Sequence, residues 1–251
     1  MKHKVLLTID DSPSPLMRER LEFLRPLGIP VLWFCRGDNL RDRMDVGVQA
    51  LQDGHTLGNH SWDHPFFSKL SVGEACLQID RTEALLEAIH EHAGIPREIR
   101  CFRFPYEDRV GSPEHHAALQ EALHRRGFQA PEMPAVRDGR FRERSGDLSW
   151  FWTFDLEDWT LQSSDSRDAA PALQKVLSRL DEALPPRSGQ GLDVFVGHDH
   201  AHTIGQWEAM ILRLLDLDCE FVSVQQARAM SPFGISETKP LHSLESAPTK
   251  I

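Results

Sequence analysis

Short apolar runs alternate with amphipathic stretches along the 251 residues. The runs are Val5–Ile9, Val31–Cys35, Thr56–Gly58, Ile99–Phe104, Phe128–Val136, Trp150–Asp155, Leu192–Val196 and Glu220–Val224. They are rich in Val, Ile, Phe and Trp and are bounded by Gly, Pro or Asp, a pattern that predicts buried strands. Helical periodicity fills the intervals. Leu16–Leu27 follows a Ser-Pro-Ser-Pro start signal and stops near Gly28-Ile29-Pro30. Ser71–Gly94 opens on a capping-box pattern, Ser71-Val72-Gly73-Glu74, and carries Ala75, Ile79, Leu85, Leu86 and Ile89 as an apolar face. Pro113–Arg126, Ala169–Leu184 and Gly205–Leu217 complete the set, with a shorter stretch at Asp42–Gln52.

Strands alternating with helices imply parallel β/α units joined by right-handed crossovers. Seven or eight such units in one domain predict an α/β fold over residues 1–230, a closed or nearly closed (β/α) barrel. An open doubly wound sheet is the alternative. Residues 231–251, rich in Ser, Pro and Thr, read as a surface-bound or disordered tail.

Composition narrows the classes of function. A formal charge of -10, from 28 basic and 38 acidic residues, speaks against nucleic acid as the main partner. No stretch approaches the ~18 apolar residues of a membrane span. The apolar run after Met1-Lys2-His3-Lys4 ends at Asp10-Asp11, too early for an export signal, so a cytoplasmic protein is expected. Cys35, Cys76, Cys101 and Cys219 are scattered and read as reduced structural thiols.

In a β/α barrel the reactive groups gather where strands end. Those points carry Asp10-Asp11, His60-Ser61-Trp62-Asp63-His64, Arg103-Phe104-Pro105-Tyr106, Asp155-Leu156-Glu157-Asp158-Trp159 and His198-Asp199-His200. Carboxylates, an H-x-x-x-H pair, an Arg and a further His around one mouth suit a hydrolytic metal site. Three N/O ligands would hold a divalent ion with room for water, and a nearby carboxylate would take the water's proton. Either Asp10 or Asp11 could be the ligand and its neighbour the base. Each feature alone is ordinary: an Asp pair is usually a turn or cap, and an isolated H-x-x-x-H is usually solvated.

Together, Thr8-Ile9-Asp10-Asp11, His60-Ser61-x-x-His64, Arg103-x-Pro105-Tyr106, Asp155-x-x-Asp158-Trp159 and Val196-Gly197-His198 resemble, in order, the five motifs of the polysaccharide deacetylase family (NodB homology, carbohydrate esterase family four). The resemblance implies an irregular (β/α) barrel. It makes Asp10 the general base and Asp11, His60 and His64 the ligands of one divalent metal, zinc first, with cobalt, nickel or manganese as alternatives. It gives Arg103 the task of holding Asp10, the Tyr106 N–H that of stabilising the oxyanion, and Trp159 a place in the acyl pocket. His198 becomes the general acid, kept charged by Asp158. Three positions depart from the family: Ile9 stands for an aromatic residue, Val196 for Leu, and Glu107-Asp108 follow Tyr106 where Gly is common.

The expected function is therefore metal-dependent N-deacetylation of an amino sugar. With no export signal visible, an intracellular precursor of surface polysaccharide, nucleotide- or lipid-linked, fits best. Hydrolysis of another C–N bond, a formamide or cyclic amide, is one alternative, and a catalytically inactive carbohydrate-binding barrel is another. In the run His198-Asp199-His200-Ala201-His202, His200 and His202 read as surface groups or a second metal site. Arg137–Arg144 holds four arginines in eight residues. It is either a solvated face or a clamp in which Arg140 and Arg142 contact phosphate. His55, His90, His92, His115 and His116 read as solvated.

Overall fold

The computed structural model describes residues 2–108, 111–144, 146–161, 169–184 and 191–231. The expected tail, beyond Ser231, lies outside the described residues. The strands are β1 (His3–Ser12), β2 (Val31–Cys35), β3 (Thr56–Asn59), β4 (Phe154–Asp155), β5 (Leu192–His198) and β6 (Cys219–Phe221). The helices are α1 (Met17–Leu24), α2 (Gly37–Arg41), α3 (Met44–Gln52), α4 (Val72–Ala93), α5 (Pro113–Arg125), α6 (Gly139–Glu143), α7 (Ala169–Ala183), α8 (Ile204–Asp216) and α9 (Val224–Ala229).

All strand pairs are parallel, in the order β3-β2-β1-β5-β4. β5 occupies one edge of β1 from Lys4 to Asp10, so β2 and β6 share the other, β6 at His3–Val5 and β2 from Leu7 onward. The gap between β3 and β4 is crossed by isolated bridges, Asn59 to Phe102 and Phe102 to Ser149, and no continuous ladder closes it among the described residues. This is the irregular barrel expected, with six ladder strands among the described residues in place of seven or eight. The Phe128–Val136 run supplies a single bridge, at Val136. Pro131 and Pro134 interrupt it, and proline has no N–H to give a ladder.

Buried on both faces, β1 reads as a nearly unbroken apolar run until its carboxyl end. Alternation nevertheless assigns its residues. Val5, Leu7 and Ile9 belong to the larger core, with Leu21 of α1, Ala50 of α3 and Trp207 of α8. Leu6 packs on the other side with Leu32, Phe34, Trp150 and Val194, inside the barrel. Two-residue periodicity then carries Thr8 and Asp10 to the interior face, above Leu6. Trp33 stacks on Trp207 at 6.5 Å in the outer layer. Each fully buried side chain of this size stabilises the fold by roughly 1.5–3 kcal/mol. Helix α4 starts as expected: Ser71 Oγ accepts the Glu74 N–H at 3.3 Å, and the Glu74 carboxylate accepts the Ser71 N–H at 2.8 Å. Its end is Gly94 at φ 66°, a left-handed position that glycine takes without strain. All four cysteines are free, and three are buried.

Candidate active site

The motif loops meet at the carboxyl ends of β1, β3, β4 and β5 and beside the Phe102 bridge, around a cleft of about 590 Å³. Its lining includes Asp10, Asp11, His60, His64, Tyr106, Trp159 and His198, so most of the residues singled out in the sequence converge here. Non-glycine residues with left-handed backbone concentrate in the same loops: Asp11 (φ 64°), Ser61 (67°), His64 (62°), Tyr106 (57°), Glu107 (54°) and Glu157 (53°). Such conformations cost of order 1–3 kcal/mol each. They persist where surrounding contacts dictate them.

Those contacts are visible around the histidine loop. The His60 N–H donates to the Cys35 carbonyl at the end of β2, at 2.9 Å, and the Arg103 N–H donates to the Asn59 carbonyl at 3.1 Å. The buried Asn59 amide donates to Glu83 at 2.9 Å, while its oxygen accepts the Ser61 N–H at 2.8 Å. Glu83 is anchored in turn by Arg97 and Arg100, each at 2.6 Å. Ser61 Oγ accepts the His64 N–H at 3.2 Å. One buried carboxylate on α4 thus sets the path of both motif histidines.

Asp11, His60 and His64 form a candidate His/Asp metal site, with ligand atoms all within 4.8 Å of one another. Nδ1 of His60 lies 2.9 Å from the Arg103 carbonyl. A carbonyl only accepts, so that nitrogen carries a proton, which leaves Nε2 as the ligating atom turned toward the cluster. The Nε2 atoms of His60 and His64 face each other at 3.2 Å. Burial and the neighbouring His60 push the His64 imidazole down to about 4, so His64 is neutral at physiological pH. Asp11 Oδ1 is 3.2 Å from His64 Nε2, and although buried it accepts no hydrogen bond. Two imidazole lone pairs and an orphaned carboxylate oxygen converging on one point fit a divalent cation. Burial would raise the Asp11 carboxyl. A hydrogen bond from His200 and the nearby His60, His64 and His198 outweigh it and hold the group well below the usual carboxylate range.

Two further groups flank this centre. Asp10 is buried, and Arg103 Nη1 donates to its Oδ1 at 2.7 Å. The same guanidinium donates to Thr8 Oγ1 at 2.8 Å and to the Trp150 carbonyl at 3.0 Å, and lies 4.2 Å over the Phe34 ring. Across the ladder Asp10 pairs in register with His198 of β5. Asp158 Oδ1 is 2.8 Å from His198 Nδ1, and its Oδ2 accepts the His198 N–H at 2.6 Å. Burial alone would lower the His198 imidazole. The hydrogen bond and charge of Asp158, aided by Asp10 and Asp11, overcome this and raise it to about 9. Gly197 leaves room for the arrangement, since a Cβ there would stand 3.2 Å from Asp158 Oδ2 and 3.1 Å from Leu156.

Other expectations need correction. Arg140 and Arg142 do not line the cleft. α6 folds them away: Arg142 Nε donates to the Val136 carbonyl at 3.2 Å, and Arg140 pairs loosely with Asp138 at 3.7 Å. It is Arg144 that reaches the rim, where it pairs with Glu107 and covers the Phe151 ring at 3.7 Å. His55 is not solvated but buried. Its Nδ1 accepts the Val31 N–H at 3.1 Å, and burial depresses it to about 4.

Sequence reasoning passed over Arg36 and Trp152, which also line the cleft, gave Asp155 no role beyond its place in the fourth motif, and left His200 undecided. It also missed a buried support beneath the last motif. Asp199 accepts from the Ser14 N–H at 2.6 Å and the Ser14 hydroxyl at 2.7 Å and pairs with Arg20 at 3.2 Å, both charged side chains being 0 % exposed. The only sequence signal for Asp199 was its place in the histidine run.

Known proteins resemble this arrangement closely enough to place it. A peptidoglycan-N-acetylglucosamine deacetylase from Listeria monocytogenes is 24% identical over 224 residues, 89% of this chain and 38% of that one. The chain spans between about a fifth and two fifths of the length of the first curated relatives it matches. Among solved structures, the chitin deacetylase of Colletotrichum lindemuthianum shares the fold at a TM-score of 0.67 and 19% identity, over 92% of this chain and 90% of that one. BA3943 of Bacillus anthracis, described as a pseudoenzyme of carbohydrate esterase family four, does so at 0.63 and 17%, over 90% and 66%. The polysaccharide deacetylase family model matches residues 1–129, just over half of the 251. With that match and the motif loops gathered around one cleft, the chain belongs to the polysaccharide deacetylase family.

Proposed function

We propose that the chain hydrolyses the acetamido group of an amino sugar within a glycan, releasing acetate and leaving the free amine. The observation that carries the reading is the gathering of the Arg103-held Asp10 carboxylate and the Asp158-held His198 imidazole in one cleft with the Asp11, His60 and His64 cluster. Because a pseudoenzyme shares the fold, the fold alone supports no activity. Support comes from the two proton-transfer groups, both present and both oriented.

A divalent cation held by Asp11, His60 and His64, zinc by this donor set, would polarise the amide carbonyl and acidify water. The residues do the rest. With Oδ1 tied to Arg103, Asp10 keeps Oδ2 for the proton of the water that adds to the acyl carbon. Arg103 fixes that carboxylate's orientation. The His198 imidazolium then delivers its Nε2 proton to the sugar nitrogen as the C–N bond breaks, and Asp158 holds Nδ1 meanwhile. Trp159, 56% exposed on the rim, offers an apolar wall to the acyl methyl or the sugar face.

The relatives named for peptidoglycan and chitin favour a polymeric substrate. With Arg140 and Arg142 turned away from the cleft, the phosphate-linked precursor lacks the arginine contacts that would have supported it. The test is acetate release by the zinc-loaded protein from neutral N-acetylglucosamine oligomers and from a nucleotide-linked acetamido sugar, beside an Asp10→Asn, His198→Ala double variant. Release from the oligomers by the wild type alone is expected. Release by the double variant would sink the proposal, and release from the nucleotide sugar alone would restore the precursor reading.

A further inference from the structure

His200 occupies a position that the reaction sketched above does not use. Its Nε2 lies 3.4 Å from Asp11 Oδ2, on the side of the carboxylate away from the metal ligands. The other oxygen, Oδ1, is 3.2 Å from His64 Nε2 and 4.0 Å from His60 Nε2. We propose that His200 is a positioning residue for the metal ligand Asp11, donating its Nε2–H to Oδ2 so that Oδ1 is held toward the two imidazoles. This rests on the metal-centre reading, and not on which sugar or acyl group is cleaved.

The physical need is plain. The terminal torsion of an aspartate is broad and nearly two-fold. A carboxylate with one bound oxygen and one free one therefore samples orientations that a ligand must give up. A donor on the far oxygen removes that freedom before the ion arrives, and such partners of metal-bound carboxylates tune affinity strongly. His200 is itself well fixed. Its carbonyl accepts from Arg20 Nη2 at 2.8 Å and from the Thr203 hydroxyl at 2.9 Å. Its ring lies between those of His198, at 5.3 Å, and His202, at 5.5 Å, nearly parallel to both. The Asp11 backbone is equally constrained, with φ 64° and its carbonyl accepting from Asn39 Nδ2 at 3.2 Å.

The experiment measures zinc affinity of the full chain by titration against a chelator buffer, with circular dichroism confirming the fold of each variant. His200→Phe keeps a flat ring between His198 and His202 but has no N–H. His200→Gln loses the ring but returns an N–H near the original Nε2. His202→Ala perturbs the same ring stack without touching Asp11. Zinc affinity is expected to fall about 10–100-fold in the Phe variant and to stay near wild type in the Gln and His202→Ala variants. A Phe variant that binds zinc as the wild type does overturns the proposal. So does a Gln variant that falls as far as Phe, which would make His200 a ligand or a packing element. A wild-type chain that takes up no zinc overturns it together with the metal centre. Acetate release is not read. A chain that holds zinc in the expected pattern yet deacetylates nothing therefore defeats the proposed function and leaves this assignment standing.

Discussion

Replacing Asp158 by Asn removes the charge that keeps His198 protonated. In the native site the imidazole stands at about 9 against an ordinary 6.5, a preference for the imidazolium worth roughly 3 kcal/mol. Asp158 is its hydrogen-bonded partner at 2.8 Å and is almost wholly buried. A cation on Asp11 would offset the smaller contribution of that carboxylate. Asparagine keeps the shape, but one of its two polar atoms becomes a donor, facing either the His198 N–H or Nδ1. Burial, then opposed only by the smaller contribution of Asp10, brings the imidazole down toward 6.5. With a value of 6.5, the protonated fraction at about pH 8 drops from roughly nine tenths to roughly 3%, a loss of about 30-fold, whereas at about pH 6 roughly three quarters remains charged. The assay is kcat/KM for acetate release across a pH series from about 5 to about 10, using a neutral substrate. The basic limb should move down by two or more pH units. A variant depressed equally at every pH, or one whose basic limb coincides with the wild type's, would show that Asp158 does not set the charge of the acid.

The same linkage gives a stability prediction. Because folding raises the His198 value from 6.5 to about 9, its contribution is complete below pH 6.5 and is lost as pH rises through about 9, by on the order of 3 kcal/mol. Thermal melts of wild type and His198→Gln should therefore converge in that window. Asp10→Asn should keep zinc and lose about 10²–10⁴-fold in turnover, and loss of zinc binding instead would exchange the roles of Asp10 and Asp11. Asp199→Ala leaves Arg20 buried without its partner, so denaturant unfolding should register a loss of about 3–5 kcal/mol.

Much of this was legible in the sequence because it is local. The runs at Val31–Cys35 and Leu192–Val196 fall within β2 and β5, and the capping box at Ser71 begins α4 where the pattern placed it. The motif residues converge because they sit at strand ends, which a barrel gathers on one face. What stayed hidden is non-local. Arg20 and Asp199 are far apart in the chain and meet only through the packing of α1 against β5 and its following turn. Glu83 looked like one more charge on α4, yet it is the anchor of the histidine loop. The arginine segment shows the converse error. Its side chains point where α6 and the Val136 carbonyl direct them, and nothing in the spacing reveals that.

The pairing of Asp10 with His198 works as a built-in ruler. Adjacent strands lie about 4.8 Å apart, so the backbone positions of base and acid are spaced by the ladder of β1 and β5 and not by any loop. A single inserted residue inside either strand would turn its reactive side chain to the outer face, among the helices. Lengthening Glu107-Asp108, or recasting the rim around Trp159, leaves that spacing untouched. Under the proposed function, substrates can therefore be exchanged at the mouth of this barrel while the spacing of Asp10 and His198 stays the same, and laboratory redesign of specificity should confine its insertions to those connections.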